Sequence, residues 1–197
     1  MKKNKLHLKD YFTKGMNSPQ KISIFLILAL SSLLGCKDDD NDNAPPPQQV
    51  QTLSFTDTAF MRKATLFNLA EISLGRLALA SASTDSIRIF GASMVNERTL
   101  AQTELNALAL QNNVLLPQEP DSLHRAMVQR LQFLTGSEFD NLLISTIITD
   151  HQNARDIFTT EIDSGEGQEI KNYASKYLPL INEELLTALR LQGQIVR

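Results

Sequence analysis

From residue 56 onward, apolar residues recur at alternating intervals of three and four. Phe60, Ala64, Phe67, Glu71, Leu74 and Ala78 follow one another at spacings of 4, 3, 4, 3 and 4, which lines one face of an α-helix. Thr56-Asp57 ahead of this stripe predicts the helix start. Ser83 to Ser86 interrupts the pattern and recaps a second helix, with Gly91, Met94, Arg98, Ala101, Leu105 and Leu108 as its inner stripe. The run NNVLLPQEP ends it. Asp121 caps a short amphipathic piece reaching Leu134, and Gly136 stops that piece. Ser137-x-x-Asp140 has the form of a capping box and opens a third stripe of Phe139, Leu143, Ile147, Asp150, Ala154 and Ile157. DSGEG closes it. Ile170, Ala174, Tyr177, Ile181, Glu184, Ala188 and Leu191 make the fourth. Pro179 lies inside this last helix and predicts a kink or a restart, because proline removes a backbone donor.

Four long helices without a strand signal predict an all-α fold, a four-helix bundle with a short helix in the connection between helices 2 and 3. The stretch from about 113 to 136 is long for a simple turn. It either crosses the length of the bundle, as in ferritin-like folds, or decorates an up-down bundle. Phe60, Phe67, Phe90, Phe139 and Phe158 are expected in the core.

The first 55 residues read differently. Lysines come first, then ISIFLILALSSLL, Ile22 to Leu34. This run has 13 residues, too few to span a hydrocarbon core of about 30 Å as a helix. A basic region, a short apolar region and a small residue at its end make a secretory signal. It closes on Leu33-Leu34-Gly35-Cys36, which resembles the lipobox of bacterial lipoproteins, where cleavage precedes a lipidated cysteine; Leu34 is a less usual residue there. Met16 offers a second start for the same signal. KDDDNDNAPPPQQVQTLS then lacks apolar periodicity, repels itself and contains three consecutive prolines, as expected of an extended tether. Lys37 and the aspartates after it also resemble a surface-export signal of lipoproteins in one group of Gram-negative bacteria; a plain solvated spacer is the other reading. The expected organisation is therefore a signal peptide at 1–35, lipidated Cys36 and tether at 36–55, a helical domain at 56–192 and a tail at 193–197. The expected location is the envelope of a Gram-negative bacterium, as an outer-membrane lipoprotein.

Charge supports this division. Residues 1–35 carry +5, leaving −8 on the remainder of a chain whose total is −3. An acidic body repels phosphates and argues against a nucleic-acid partner. One cysteine excludes an internal disulfide. Hydrophobic residues at 42% are enough for a packed core. The chain shows no glycine-rich phosphate loop and no serine nucleophile motif around His151.

Six short stretches carry a resemblance: AEISLGRLA (70–78), MVNER (94–98), LP (116–117), GSEFD (136–140), DHQNA (150–154) and LPLINEELL (178–186). In order and spacing they resemble the DUF4142 family of uncharacterised bacterial exported proteins, classed as ferritin-like. Glu71 and Asp150-His151 match the family pattern. The chain departs from it at Glu97-Arg98, where the family tends to have Asp-His, at Glu184, where it tends to have His, and at Leu143, where it tends to have Tyr. Two of three family histidines are thus absent.

Glu71, Arg98, Asp150 and Glu184 each fall on the inward stripe of a different helix, near its middle, with Glu97 and His151 beside two of them. Antiparallel packing brings these six to one level, where buried charge must find a partner. The expected arrangement is an ion-pair layer, with Arg98 between Glu71 and Glu184 and His151 held by a carboxylate, since guanidinium is a good bidentate partner for carboxylate and a poor metal ligand. A metal site of carboxylates and one imidazole is the alternative. A ferritin-type dinuclear centre needs Glu-x-x-His on two helices, and Ile148 stands three residues before His151. No cofactor, metal or catalytic residue is therefore expected. His124 is expected to be exposed or capping. The function classes are a non-enzymatic, membrane-attached helical module for scaffolding, stress protection or partner binding, and a metal-handling or redox protein.

Overall fold

The computed structural model describes residues 53–195. The signal peptide, Cys36 and nearly all of the tether lie outside the described residues. Five helices follow one another: α1 (Phe55–Ser81), α2 (Asp85–Gln111), α3 (Ser122–Leu131), α4 (Gly136–Ser164) and α5 (Gln168–Ile195). No strand occurs among the described residues. Helix α5 runs through Pro179 without restarting, and continues three residues past 192.

Helix boundaries follow local chemistry. Ser54 caps α1 in a capping box with Asp57, so the helix begins at Phe55, one residue ahead of the Thr56-Asp57 expectation. Thr84 caps α2 by accepting from the Ile87 amide, and Asp121 caps α3 by accepting from the His124 amide. The expected box at Ser137 and Asp140 does not form. Helix α4 starts at Gly136, whose φ of 59° suits glycine. Asp140 instead accepts from the amide (3.0 Å) and hydroxyl of Ser83, tying the α1–α2 turn to the first turn of α4.

The connectivity follows from which residues share a core. Leu74, Ala78, Phe90, Met94, Phe139, Leu143, Ala188 and Leu191 pack at one end. Phe60, Ala64, Leu105, Ala154, Phe158, Tyr173 and Ala174 pack at the other. Hence α1 and α2 are antiparallel, α4 and α5 are antiparallel, and α2 and α4 run the same way. The connection carrying α3 therefore crosses the full length of the bundle, as in ferritin-like connectivity. Helix α3 lies over the α1–α4 seam and presents Met127, Val128 and Leu131 to the core.

The helix stripes bury as expected, with three shifts of one residue. Ala109 rather than Leu108 is buried at the end of α2, His151 rather than Asp150 in the middle of α4, and Phe158 rather than Ile157 near the end of α4. All five expected core phenylalanines are buried. Gly75 and Gly91 let α1 and α2 approach closely. A Cβ on Gly91 would lie 2.5 Å from Ala78 Cβ and 2.7 Å from the Gly75 carbonyl oxygen.

Two stability predictions follow from this packing. Leu74 is fully buried, so Leu74→Ala is expected to lower unfolding free energy by about 2–5 kcal/mol in urea; a loss under about 0.5 kcal/mol would mean that its face of α1 is not packed. Gly91→Ala is expected to destabilise as well, although alanine favours an isolated helix by about 1 kcal/mol, because the backbone contact cannot yield. An unchanged urea midpoint would contradict the close approach.

Candidate functional site

The middle of the bundle holds a buried polar cluster between the two apolar ends. Glu71 on α1, Arg98 on α2 and His151 on α4 are fully buried, and Glu184 on α5 is 6% exposed. Arg98 Nη2 donates to Glu184 Oε2 in a direct ion pair. His151 Nε2 lies 3.3 Å from the same oxygen, and its Nδ1 lies 2.9 Å from the Ile147 carbonyl and 3.8 Å from Glu71 Oε2. A carbonyl only accepts, so Nδ1 carries a hydrogen. A hydrogen bond between Nε2 and Glu184 then requires one further proton, on ring or carboxyl. Phe67 completes the cluster. Its ring stands edge-on to the His151 ring at 5.2 Å, and the Arg98 guanidinium lies over it at 5.2 Å from the centroid, a favourable placement for a cation.

The arrangement differs from the expected one in which Arg98 bridges two carboxylates. Arg98 bonds Glu184 alone; its Nε and Nη1, like both oxygens of Glu71, have no hydrogen-bond partner. Burial first, then the negative charges of Asp150 and Glu184, push the Glu71 carboxyl well above the usual carboxylate range, against the opposing pull of Arg98. Asp150 is therefore the neighbour that, with burial, favours the acid form of Glu71.

Two of the six candidate residues stand apart from this cluster. Asp150 is half-buried on the α3 side, where its Oδ2 lies 3.2 Å from His124 Nε2. Glu97 does not join the buried layer: it sits at the edge of α2 and accepts a hydrogen bond from Ser93 at 2.8 Å. The reason is helical geometry. Adjacent residues point about 100° apart, so only one member of Glu97-Arg98 and of Asp150-His151 can face inward, and in both pairs it is the second.

His124 is more than a cap. Its Nδ1 lies 2.8 Å from Asp121, and its Nε2 reaches Asp150, so it pins α3 to α4. The close contact with Asp150, opposed by burial and helped by the charges of Asp150 and Asp121, holds its pKa up at about 9 against an ordinary 6.5. Ionisable groups thus form a file across the bundle: Asp121, His124, Asp150, Glu71, His151, Glu184 and Arg98.

Two further polar groupings were not anticipated. Asn68, fully buried, donates to Gln102 and to the Tyr173 hydroxyl, both at 3.2 Å. Asp57 and Glu161 are 0% and 1% exposed. Asp57 accepts from the amides of Ser54 (2.9 Å), Glu166 (3.0 Å) and Gly167 (3.1 Å), joining the start of α1 to the α4–α5 turn. Burial, then the adjacent Asp57 carboxyl group and its charge, raise the Glu161 carboxyl to about 8. A sequence signal for Glu161 existed: it follows Ile147, His151, Ala154 and Phe158 at alternating steps of four and three.

The donor set does not suit a dinuclear metal centre. Among the described residues no group of three or more His, Cys, Asp or Glu side chains is arranged to hold an ion. The Arg98 guanidinium sits on Glu184, where a second cation would meet like charge.

The family described as "Domain of unknown function (DUF4142)" matches residues 42–191, and the chain belongs to it. The crystal structure of a DUF305 fragment from Deinococcus radiodurans is similar in fold, with a TM-score of 0.64 at 15% identity, over 72% of this chain and 98% of that one. None of the curated proteins compared with the chain matches it.

Arg98→Met is expected to destabilise the domain by about 3–5 kcal/mol, the usual result of stranding one partner of a buried pair. Arg98→Met combined with Glu184→Gln is expected to recover much of that loss, and the coupling free energy from urea unfolding measures the pair. Near-zero coupling, with zinc or manganese stabilising the wild type, would move Glu71, His151 and Glu184 to the role of ligands. A second prediction concerns pH. The folded-state pKa of His124 is raised, so its contribution is full below about pH 6.5 and is lost as pH rises through about 9. The urea midpoints of wild type and His124→Asn should therefore differ most near pH 6 and converge by about pH 9.5. A difference independent of pH would show that His124 does not act through its charge.

Proposed function

We propose that this protein is a lipid-anchored component of a Gram-negative cell envelope, attached to the outer membrane through Cys36, with its helical domain held out on the tether as a binding or scaffolding module. The observation that carries this reading is Leu33-Leu34-Gly35-Cys36 closing an apolar run of 13 residues, with the chain's one cysteine at the end. Among the described residues no helix is long and apolar enough to cross a membrane, so in this reading attachment falls to the lipid. Each buried methylene contributes about 0.8 kcal/mol, and several acyl chains hold almost irreversibly. Cys36 to the cap at Ser54 is long enough to reach roughly 50 Å at about 3 Å per residue. A binding role rather than catalysis is favoured by the sealing of the central cluster: Glu71, Arg98 and His151 have no exposed surface for a substrate to touch.

Cys36→Ala is expected to block cleavage at the lipoprotein site, abolish labelling by radioactive palmitate and leave an unprocessed precursor. Normal maturation and unchanged membrane fractionation of this variant would refute the lipid assignment.

A further inference from the structure

The two outer seams of the bundle are treated differently. Helix α3 covers the α1–α4 seam, and nothing among the described residues covers the α2–α5 seam. At the end of the bundle where α2 finishes, that seam is latched: Glu104 accepts from Tyr177 at 2.8 Å and from Lys176 at 2.5 Å. At the other end it opens into a groove of about 590 Å³, within the usual range of small-molecule sites. Ile89, Phe90, Leu180 and Leu191 supply its apolar walls, with Ile89 70% exposed.

Its charge is uneven. Glu97, Glu183 and Glu184 all line the groove near the middle of the bundle. Glu97 has only the Ser93 hydroxyl as a partner, and no ion pair holds Glu183 among the described residues. Glu184 is 6% exposed, and its Oε1 has no hydrogen-bond partner while Oε2 holds Arg98. The cation nearest these carboxylates is thus already neutralised. Arg190 also lines the groove, six residues beyond Glu184 and so about 9 Å along the helix; its guanidinium bonds only within its own helix, to Leu186 and Thr187.

We infer that this groove binds a small amphiphilic organic cation: an ammonium group meets Glu97 and Glu183 beside the nearly buried Glu184, while an apolar arm lies against Ile89, Phe90 and Leu191. Burying the arm contributes roughly 25 cal/mol per Å², and the ammonium supplies the three donors that unpaired carboxylate oxygens lack. The site is separate from the sealed cluster, although Glu184 belongs to both. The inference does not depend on Cys36, so its failure leaves the lipid reading untouched.

Titration calorimetry of the purified full chain at pH 7 with phenethylamine, charged at that pH, and with 2-phenylethanol, its neutral counterpart, tests the assignment. The amine is expected to bind about ten-fold more tightly, as one charge-assisted contact implies. Glu97→Gln combined with Glu183→Gln should remove most of that preference while leaving the helical circular-dichroism spectrum unchanged. Equal affinity for the two probes would reduce the groove to an apolar surface. Absence of saturable amine binding, or undiminished preference in the double variant, would equally overturn the site.

Discussion

The Arg98–Glu184 ion pair governs the middle of this bundle. A guanidinium with no exposed surface is tolerable only beside a matched anion, and Glu184 is the one carboxylate it bonds. The neighbouring groups are arranged around that fact. Phe67 offers its ring face to the cation. Glu71, denied the guanidinium, has its carboxyl pushed well above the usual carboxylate range by burial and by the charge of Asp150. Asp150 in turn faces His124, whose charge is stabilised there.

The same solution recurs at the end of the domain. Asp57 takes its hydrogen bonds from backbone amides, and Glu161 beside it is held protonated by burial. In both places two carboxyl groups share a small volume and one is pushed toward its protonated form, as expected when like charges crowd together. The two pairs do different mechanical jobs. Glu71–Asp150 connects α1 to α4, while Asp57 fastens the first turn of α1 to the turn before α5.

Much of the fold was legible in the sequence, because stripes of apolar residues at helical spacing report burial directly. The four long helices, their turns and the capping of α2 and α3 follow from residues such as Thr84 and Asp121. The crossover was legible only as one of two alternatives, since loop length alone does not tell direction; the shared cores decided it. The site was read less sharply. A stripe locates a position to within about one residue, which is enough for Leu74 but not for Asp150 against His151, or Glu97 against Arg98, where the neighbours have different chemistry. His124 looked like a cap because its second partner lies on α4, out of reach of any local pattern. The Asp57–Glu161 pair was missed for the same reason: its members come from opposite ends of the sequence and each also fits an ordinary helical role.

The crossover has a consequence for how the molecule assembles. The chain before α3 folds into one hairpin, α1–α2, and the chain after it into another, α4–α5, each built from contacts close in sequence. Glu71 and Arg98 lie in the first hairpin; Asp150, His151 and Glu184 lie in the second. In neither hairpin alone does Arg98 meet Glu184, and both halves must shed water from their inward polar groups when they meet. Hairpin formation is therefore the fast, local event, and docking is the slow one that the long connection must close. The charged layer forms only at docking, so it acts late, as a brake on separation of the two halves more than as a nucleus for their formation.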